Sequence, residues 1–224
     1  MKKSTKYHIA LVIGIIITLI SGVLFYTKSL YWYFVAPFGL WLIFDSLSFY
    51  RKRETTLNLL FEKRYKDFLK LFTLLYIGGI FAELCGDIFQ LWTYKIGEQK
   101  ASGTIQISDT HFYTLKTLGF FVYPVILMHF RELYSFIRSF FKQKITAVVC
   151  ATLIGVLLWE VINLLTYDWT YTIPFFDVEF YGINVFIIVT WVFLIIVPEW
   201  IYVYATKKRD SRAAKPISSS VPQS

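Results

Sequence analysis

Six long apolar stretches divide this chain: about Tyr7 to Tyr26, Tyr31 to Tyr50, Phe68 to Tyr94, Phe112 to Phe130, Ile145 to Thr166 and Ile183 to Tyr204. Each reaches the roughly 20 residues that a helix needs to cross a hydrocarbon core. Strands do not fit, because a lone strand in lipid leaves its backbone N–H and C=O groups unsatisfied. The reading is an all-α, polytopic bundle of six transmembrane helices. Composition agrees: 56% of the residues are hydrophobic, where a soluble domain sits near 45–50%.

Lys and Arg positions orient the bundle. Nineteen of the 23 fall at the N-terminus, in the segments 51–70 and 131–144, or after residue 206; Lys28, Lys95, Lys100 and Lys116 lie on the other side. The positive-inside rule then puts both termini in the cytoplasm. The net charge of +8 is therefore a topology signal, and a nucleic-acid partner is not expected. The first stretch has the basic start of a signal peptide, but its apolar run is long and no small-x-small cleavage site follows, so it reads as retained. Compact size, short loops and Lys-rich ends look bacterial, which places the protein in an inner membrane.

One domain is expected over residues 1–206, followed by a polar, Ser- and Pro-containing cytoplasmic tail, 207–224, of disordered type. In the first basic loop, Leu57, Leu60, Phe61, Tyr65 and Phe68 are spaced among charges as in an amphipathic helix lying on the inner leaflet. Anionic lipid at residues 51–70 is the partner this implies. Cys85 and Cys150 fall at different depths, so no disulfide is expected. The three histidines are scattered, no metal constellation is visible, and no cofactor motif occurs.

An internal repeat is legible at a shift of 77 residues. "FAELCGDIFQLWTYKI" from Phe81 and "LWEVINLLTYDWTYTI" from Leu158 align Glu83 with Glu160, Trp92 with Trp169, Thr93 with Thr170, Tyr94 with Tyr171 and Ile96 with Ile173. The repeat predicts two parallel helical hairpins, about 31–96 and 112–173. Such repeats often place a site at their interface.

Carboxylates inside apolar helices are the candidates for chemistry. An ionised Glu83 or Glu160 facing lipid costs several kcal/mol, so each should point into the bundle or carry a proton. Glu83, Asp87 and Gln90 fall at i, i+4 and i+7, and Glu160, Asn163 and Tyr167 at i, i+3 and i+7; each set is one helical stripe. Glu83, Glu160 and Asp87 are the expected acid/base groups. Gln90, Trp92, Tyr94, Trp159, Asn163, Tyr167, Trp169 and Tyr171 are the expected substrate-contacting set. The alternative for the glutamates is interhelical hydrogen bonding that fixes the register of the bundle, and the Trp-Thr-Tyr segments also suit interface anchors. Asp45 and Glu199 lie near cytoplasmic ends, where snorkelling accounts for them. Pro124 and Pro198 predict kinks in the fourth and sixth helices, and Gly78–Gly79 suits close helix packing.

"AELCGDIFQLWTY" and "WEVINLLTYDWTYTIPFF", with "FYGINVF" following, resemble the membrane carotenoid-biosynthesis proteins, the small lycopene cyclase domains and the carotenoid hydratases. In this chain Asn184 stands where that family would have a proline, and the paired Glu-Glu motif of the cyclases is absent. "APFGLWLIFDSL", with Pro37, Gly39 and Asp45, is also similar to bacterial six-helix membrane proteins. The resemblance implies cofactor-free acid/base chemistry (cyclisation, hydration or isomerisation) on an isoprenoid-like lipid, with Glu83 and Glu160 as the carboxylates. Two other classes stay open. A small carrier or ion-linked transporter needs a hydrated path, which six short helices form only modestly or as a homodimer. A structural or lipid-binding membrane protein needs no cavity at all.

Overall fold

A computed structural model of the chain describes residues 2–27, 29, 31–89, 91–94, 109–166, 169–171, 178–180 and 183–207. Among these, seven helices run in order: α1 (Lys3–Tyr26), α2 (Trp32–Tyr50), the short α3 (Thr56–Phe61), α4 (Tyr65–Ile88), α5 (Asp109–Arg138), α6 (Lys144–Thr166) and α7 (Val185–Lys207). All but α3 contain a segment long and apolar enough to cross a membrane. The protein is an all-α bundle of multi-pass type. The expected 207–224 tail lies outside the described residues, apart from Lys207 at the end of α7.

The basic segments converge on one end of the bundle. There Lys3 Nζ meets Glu62 Oε1 at 2.9 Å, Arg51 Nε donates to Ser139 Oγ at 3.3 Å, and Lys70 Nζ reaches the Tyr204 carbonyl at 3.5 Å. The Lys3 ammonium holds the Glu62 carboxyl below the usual carboxylate range. Both side chains are half exposed, so the pair contributes little to stability.

Helix α5 is the centre of the bundle, packing against α2, α4, α6 and α7. In an 18-residue window of its membrane-length segment, Gly119–Arg138, 78% of residues are buried, against at most 44% in the window of any other span. The helix covers the expected fourth span of Phe112 to Phe130 and continues to Arg138, and its polar side chains there face protein. On one side, α1 and α2 form a tight hairpin. A Cβ at Gly14 would come within 2.9 Å of Leu42 Cβ, and one at Gly39 within 3.0 Å of the Gly14 carbonyl. Small residues thus let these two backbones touch.

The third apolar stretch does not stay helical to Tyr94. Helix α4 stops at Ile88, where Leu91 N donates back to the Gly86 carbonyl at 2.9 Å, a bond spanning five residues that closes a helix end. Trp92–Tyr94 then forms a strand, β1, antiparallel to β2 (Trp169–Tyr171), with Thr93 opposite Thr170. The two Trp-Thr-Tyr tripeptides found at the 77-residue shift are therefore hydrogen-bonded to each other. A second small ribbon pairs β3 (Glu179–Phe180) with β4 (Ile183–Asn184).

The first basic loop forms the short α3, which turns apolar side chains inward. Thr55, Thr56, Leu57 and Leu59 are buried in the basic end of the bundle, while Leu60 and Phe61 pack against the same core as Tyr7. The helical spacing holds; the surface that receives its apolar face is protein rather than lipid.

Candidate functional site

A cavity of about 580 Å³ opens between α4, α5 and α7, with Tyr33 of α2 and Trp159 of α6 at its edges. Its walls are almost wholly apolar and aromatic, among them Phe130, Trp191 and Phe193. Phe81 and Phe193 line it and are also largely exposed on the flank of the bundle, so the cavity opens sideways, where a membrane would hold hydrocarbon. Its size falls within the roughly 300–1,000 Å³ of small-molecule sites.

One carboxylate stands in this wall. Glu83 is buried and accepts a short hydrogen bond at Oε2 from the hydroxyl of Tyr123 on α5. A hydrogen bond from a tyrosine hydroxyl to a carboxyl oxygen fixes the orientation of the Glu83 side chain, whichever proton the carboxyl carries. The pair forms because α4 and α5 approach unusually closely one turn before Glu83. A Cβ at Gly79 would lie 2.5 Å from Tyr123 Cβ, whereas one at Gly78 would meet only Ile201 Cδ1, at 4.0 Å. The two neighbouring glycines therefore predict opposite results. Gly79→Ala is expected to cost about 1–3 kcal/mol through overpacking. Gly78→Ala is expected to be neutral or to gain up to about 1 kcal/mol of helix propensity. Thermal unfolding of the two variants in one detergent checks this.

Glu160 is buried on α6 and accepts from Trp191 Nε1 at 3.1 Å. Trp191 is part of the cavity wall, so Glu160 is linked to the cavity through that indole. Trp159, of the expected set, lines the cavity, and its Nε1 faces His129 Nε2 at 3.4 Å. His129 Nδ1 lies 2.8 Å from the Ile126 carbonyl. A carbonyl can only accept and an indole N–H can only donate, so this geometry selects the neutral imidazole with its proton on Nδ1. Asn163 is buried one turn beyond Glu160.

The remaining expected residues divide by placement. Asp87 sits in the last turn of α4, and Trp92, Tyr94, Trp169 and Tyr171 belong to the β1–β2 ribbon; their side chains are not among the described parts of the structure. Gln90 and Tyr167 lie outside the described residues. Two cavity residues went unnoticed in the sequence: Tyr123 and Trp191. Neither has a charged residue within four positions in the sequence, so only tertiary packing shows that they meet a carboxylate.

A second polar constellation lies at the basic end, and here two expectations are corrected. Asp45 does not snorkel. It is fully buried, and its Oδ2 accepts from Thr56 Oγ1 at 2.7 Å and from Leu57 N at 2.8 Å. Glu132 Oε1 accepts from Thr56 N at 2.9 Å. The first N–H groups of a helix have no intrahelical partner, and these two carboxylates satisfy two of those of α3. Arg131, counted above as a loop cation, is buried as well. It pairs with Glu132 at 2.6 Å and Glu199 at 2.9 Å, donates to the Glu54 carbonyl at 2.8 Å, and lies 3.6 Å from the Tyr202 ring centre. Glu199, partly exposed, is an ion-pair partner of Arg131. This cluster fastens the α2–α4 loop to α5 and α7.

Compared with known proteins, the chain matches no family model, no curated protein and no solved structure. Function has to be argued from the geometry of the bundle. Among the described residues, no group of three His, Cys, Asp or Glu is placed to hold a metal ion.

Proposed function

We propose that this is a multi-pass inner-membrane protein, both termini cytoplasmic, that takes an apolar lipid into the lateral cavity and performs acid/base chemistry on it. The observation that carries the reading is a single buried carboxyl, Glu83, held by Tyr123 in the wall of an otherwise apolar cavity that opens toward hydrocarbon. An apolar cavity of this shape suits a chain-like hydrocarbon better than a soluble metabolite. Within it, a carboxylic acid can give a proton to an alkene carbon, leaving a carbocation. The resulting carboxylate then takes a proton back from a neighbouring carbon, which completes an isomerisation or cyclisation, or a water adds and loses its proton to it, which completes a hydration. The isoprenoid class of substrate rests on the resemblance of the Glu83 and Glu160 segments to carotenoid-modifying membrane proteins. Glu160, acting through the Trp191 indole, is a positioning residue in this scheme.

The test begins with occupancy. Thr190 lines the cavity, and Thr190→Trp fills part of it without touching Glu83 chemistry. Mass spectrometry of lipids extracted from purified wild type and variant is expected to show a specific apolar lipid retained by the former and depleted at least tenfold in the latter. Identical bulk lipid in both would remove the cavity as a site, and the enzyme reading with it.

A further inference from the structure

A second opening, unrelated to Glu83, is cut into the flank of the basic end. It is a groove of about 1430 Å³ between the end of α5, the start of α6 and α7 from Val192 to Tyr204. Its lining joins two chemistries. Arg53, Arg138 and Lys144 supply positive charge, while residues such as Ile145, Val149, Val192 and Trp200 supply an apolar wall. Ile145, Val149 and Trp200 are strongly exposed. None of the three cations forms an ion pair among the described residues. The one acid lining the groove, Glu199, is engaged by Arg131 at 2.9 Å, so the groove keeps a net positive charge.

We infer that this groove binds one anionic phospholipid from the leaflet at the basic end. Its phosphate sits against Arg53, Arg138 and Lys144, and an acyl chain lies along α7. A soluble anion would leave the apolar wall without purpose, and a neutral lipid would leave the three cations without a counter-charge. Length agrees. From Tyr204 to Val192, both in the groove, is twelve residues of helix, roughly 18 Å at 1.5 Å per residue. That is close to the depth of one leaflet, about half of a 30 Å hydrocarbon core. Only Arg53 is shared with the 51–70 loop, so the site differs from a general attraction of that loop to an anionic surface.

The experiment is native mass spectrometry of the full-length protein in a neutral detergent, titrated with phosphatidylglycerol and, separately, phosphatidylcholine. Wild type is expected to hold one phosphatidylglycerol at concentrations at least tenfold below those needed for phosphatidylcholine. Arg138→Gln with Lys144→Gln should weaken phosphatidylglycerol about 25-fold, at about fivefold per cation removed, and leave phosphatidylcholine unchanged. The charge-preserving exchange Arg138→Lys with Lys144→Arg should restore binding, which separates charge from folding. Val149→Trp keeps every charge but blocks the wall, and should also weaken binding. Lys63→Gln with Lys66→Gln, two charges lost at the same end outside the groove, should change it less than twofold. Equal affinity for the two lipids overturns the proposal, as does an equal loss in the Lys63/Lys66 variant or unaltered binding by Val149→Trp.

Discussion

Arg131→Gln is expected to lower the thermal midpoint of the detergent-solubilised protein by roughly 10 °C or more. The guanidinium is buried, and three of its hydrogen bonds go to Glu132, Glu199 and the Glu54 carbonyl while its face covers Tyr202. A neutral amide at this position leaves two carboxylates without their counter-charge. Breaking a buried pair by removing one partner costs about 3–5 kcal/mol, and for a chain of this length each kcal/mol moves the midpoint by about 2–4 °C. Arg131→Lys should fall between the two, because an ammonium restores charge but cannot fork to two acceptors. Arg138→Gln, two turns further along the same helix and partly exposed, should shift the midpoint by no more than about 2 °C, as substitutions near the surface usually do. Protease cleavage between residues 51 and 64 is a second readout. It should rise with Arg131→Gln, since the cluster is what holds α3 in place. An unchanged midpoint would mean that the cluster is a passenger in the fold.

Glu83→Gln is expected to abolish the chemistry proposed for the cavity while leaving lipid occupancy intact. A suitable probe is an acyclic isoprenoid polyene such as squalene, supplied in micelles made with D₂O. Each reversible protonation of a double bond leaves deuterium on carbon, so mass spectrometry counts events whatever the product. Removing a general acid typically costs about 10²–10⁴-fold in rate, and Glu83→Gln should lose that much deuterium uptake. Tyr123→Phe, which keeps the carboxyl but removes its hydrogen-bond donor, should lose less, in turnover rather than in binding. A different pattern would mark the pair as a bundle contact: both variants less stable, and no deuterium uptake by wild type.

What the sequence made legible follows from which forces act along the chain and which act across it. Spans were readable because lipid imposes a length and an apolarity on each helix separately. Glu83 and Glu160 were readable as inward-facing because no carboxylate is cheap on a lipid-facing surface. Tyr123 and Trp191 were not, since an aromatic residue in an apolar helix is equally at home against lipid, core or carboxylate. Asp45 and Arg131 were misread for a different reason. Each stands near the end of an apolar run, where reaching water is the simplest expectation, and nothing local shows that Thr55–Leu59 returns into the bundle to meet them. The run "ETTLNLL" did carry one usable signal: Thr55 is an N-cap residue, accepting from Asn58 N at 3.2 Å, which marks a helix start but not where that helix packs. The 77-residue shift likewise aligned the Trp-Thr-Tyr segments without showing that one pairs with the other.

The central position of α5 has a consequence for biogenesis. Its membrane-length segment holds His129, Arg131 and Glu132 and is the least apolar of the six. A charge near the end of a span costs less than the about 2.5–3.5 kcal/mol of the helix centre, yet burying Arg131 and Glu132 away from water still requires partners. That end of α5 is received by protein, and the helices made before it, α2 and α4, are two of its four neighbours in the finished bundle. Synthesis order thus prepares a partly built polar berth before α5 emerges, and a delay of α2 or α4 would leave Arg131 and Glu132 without it.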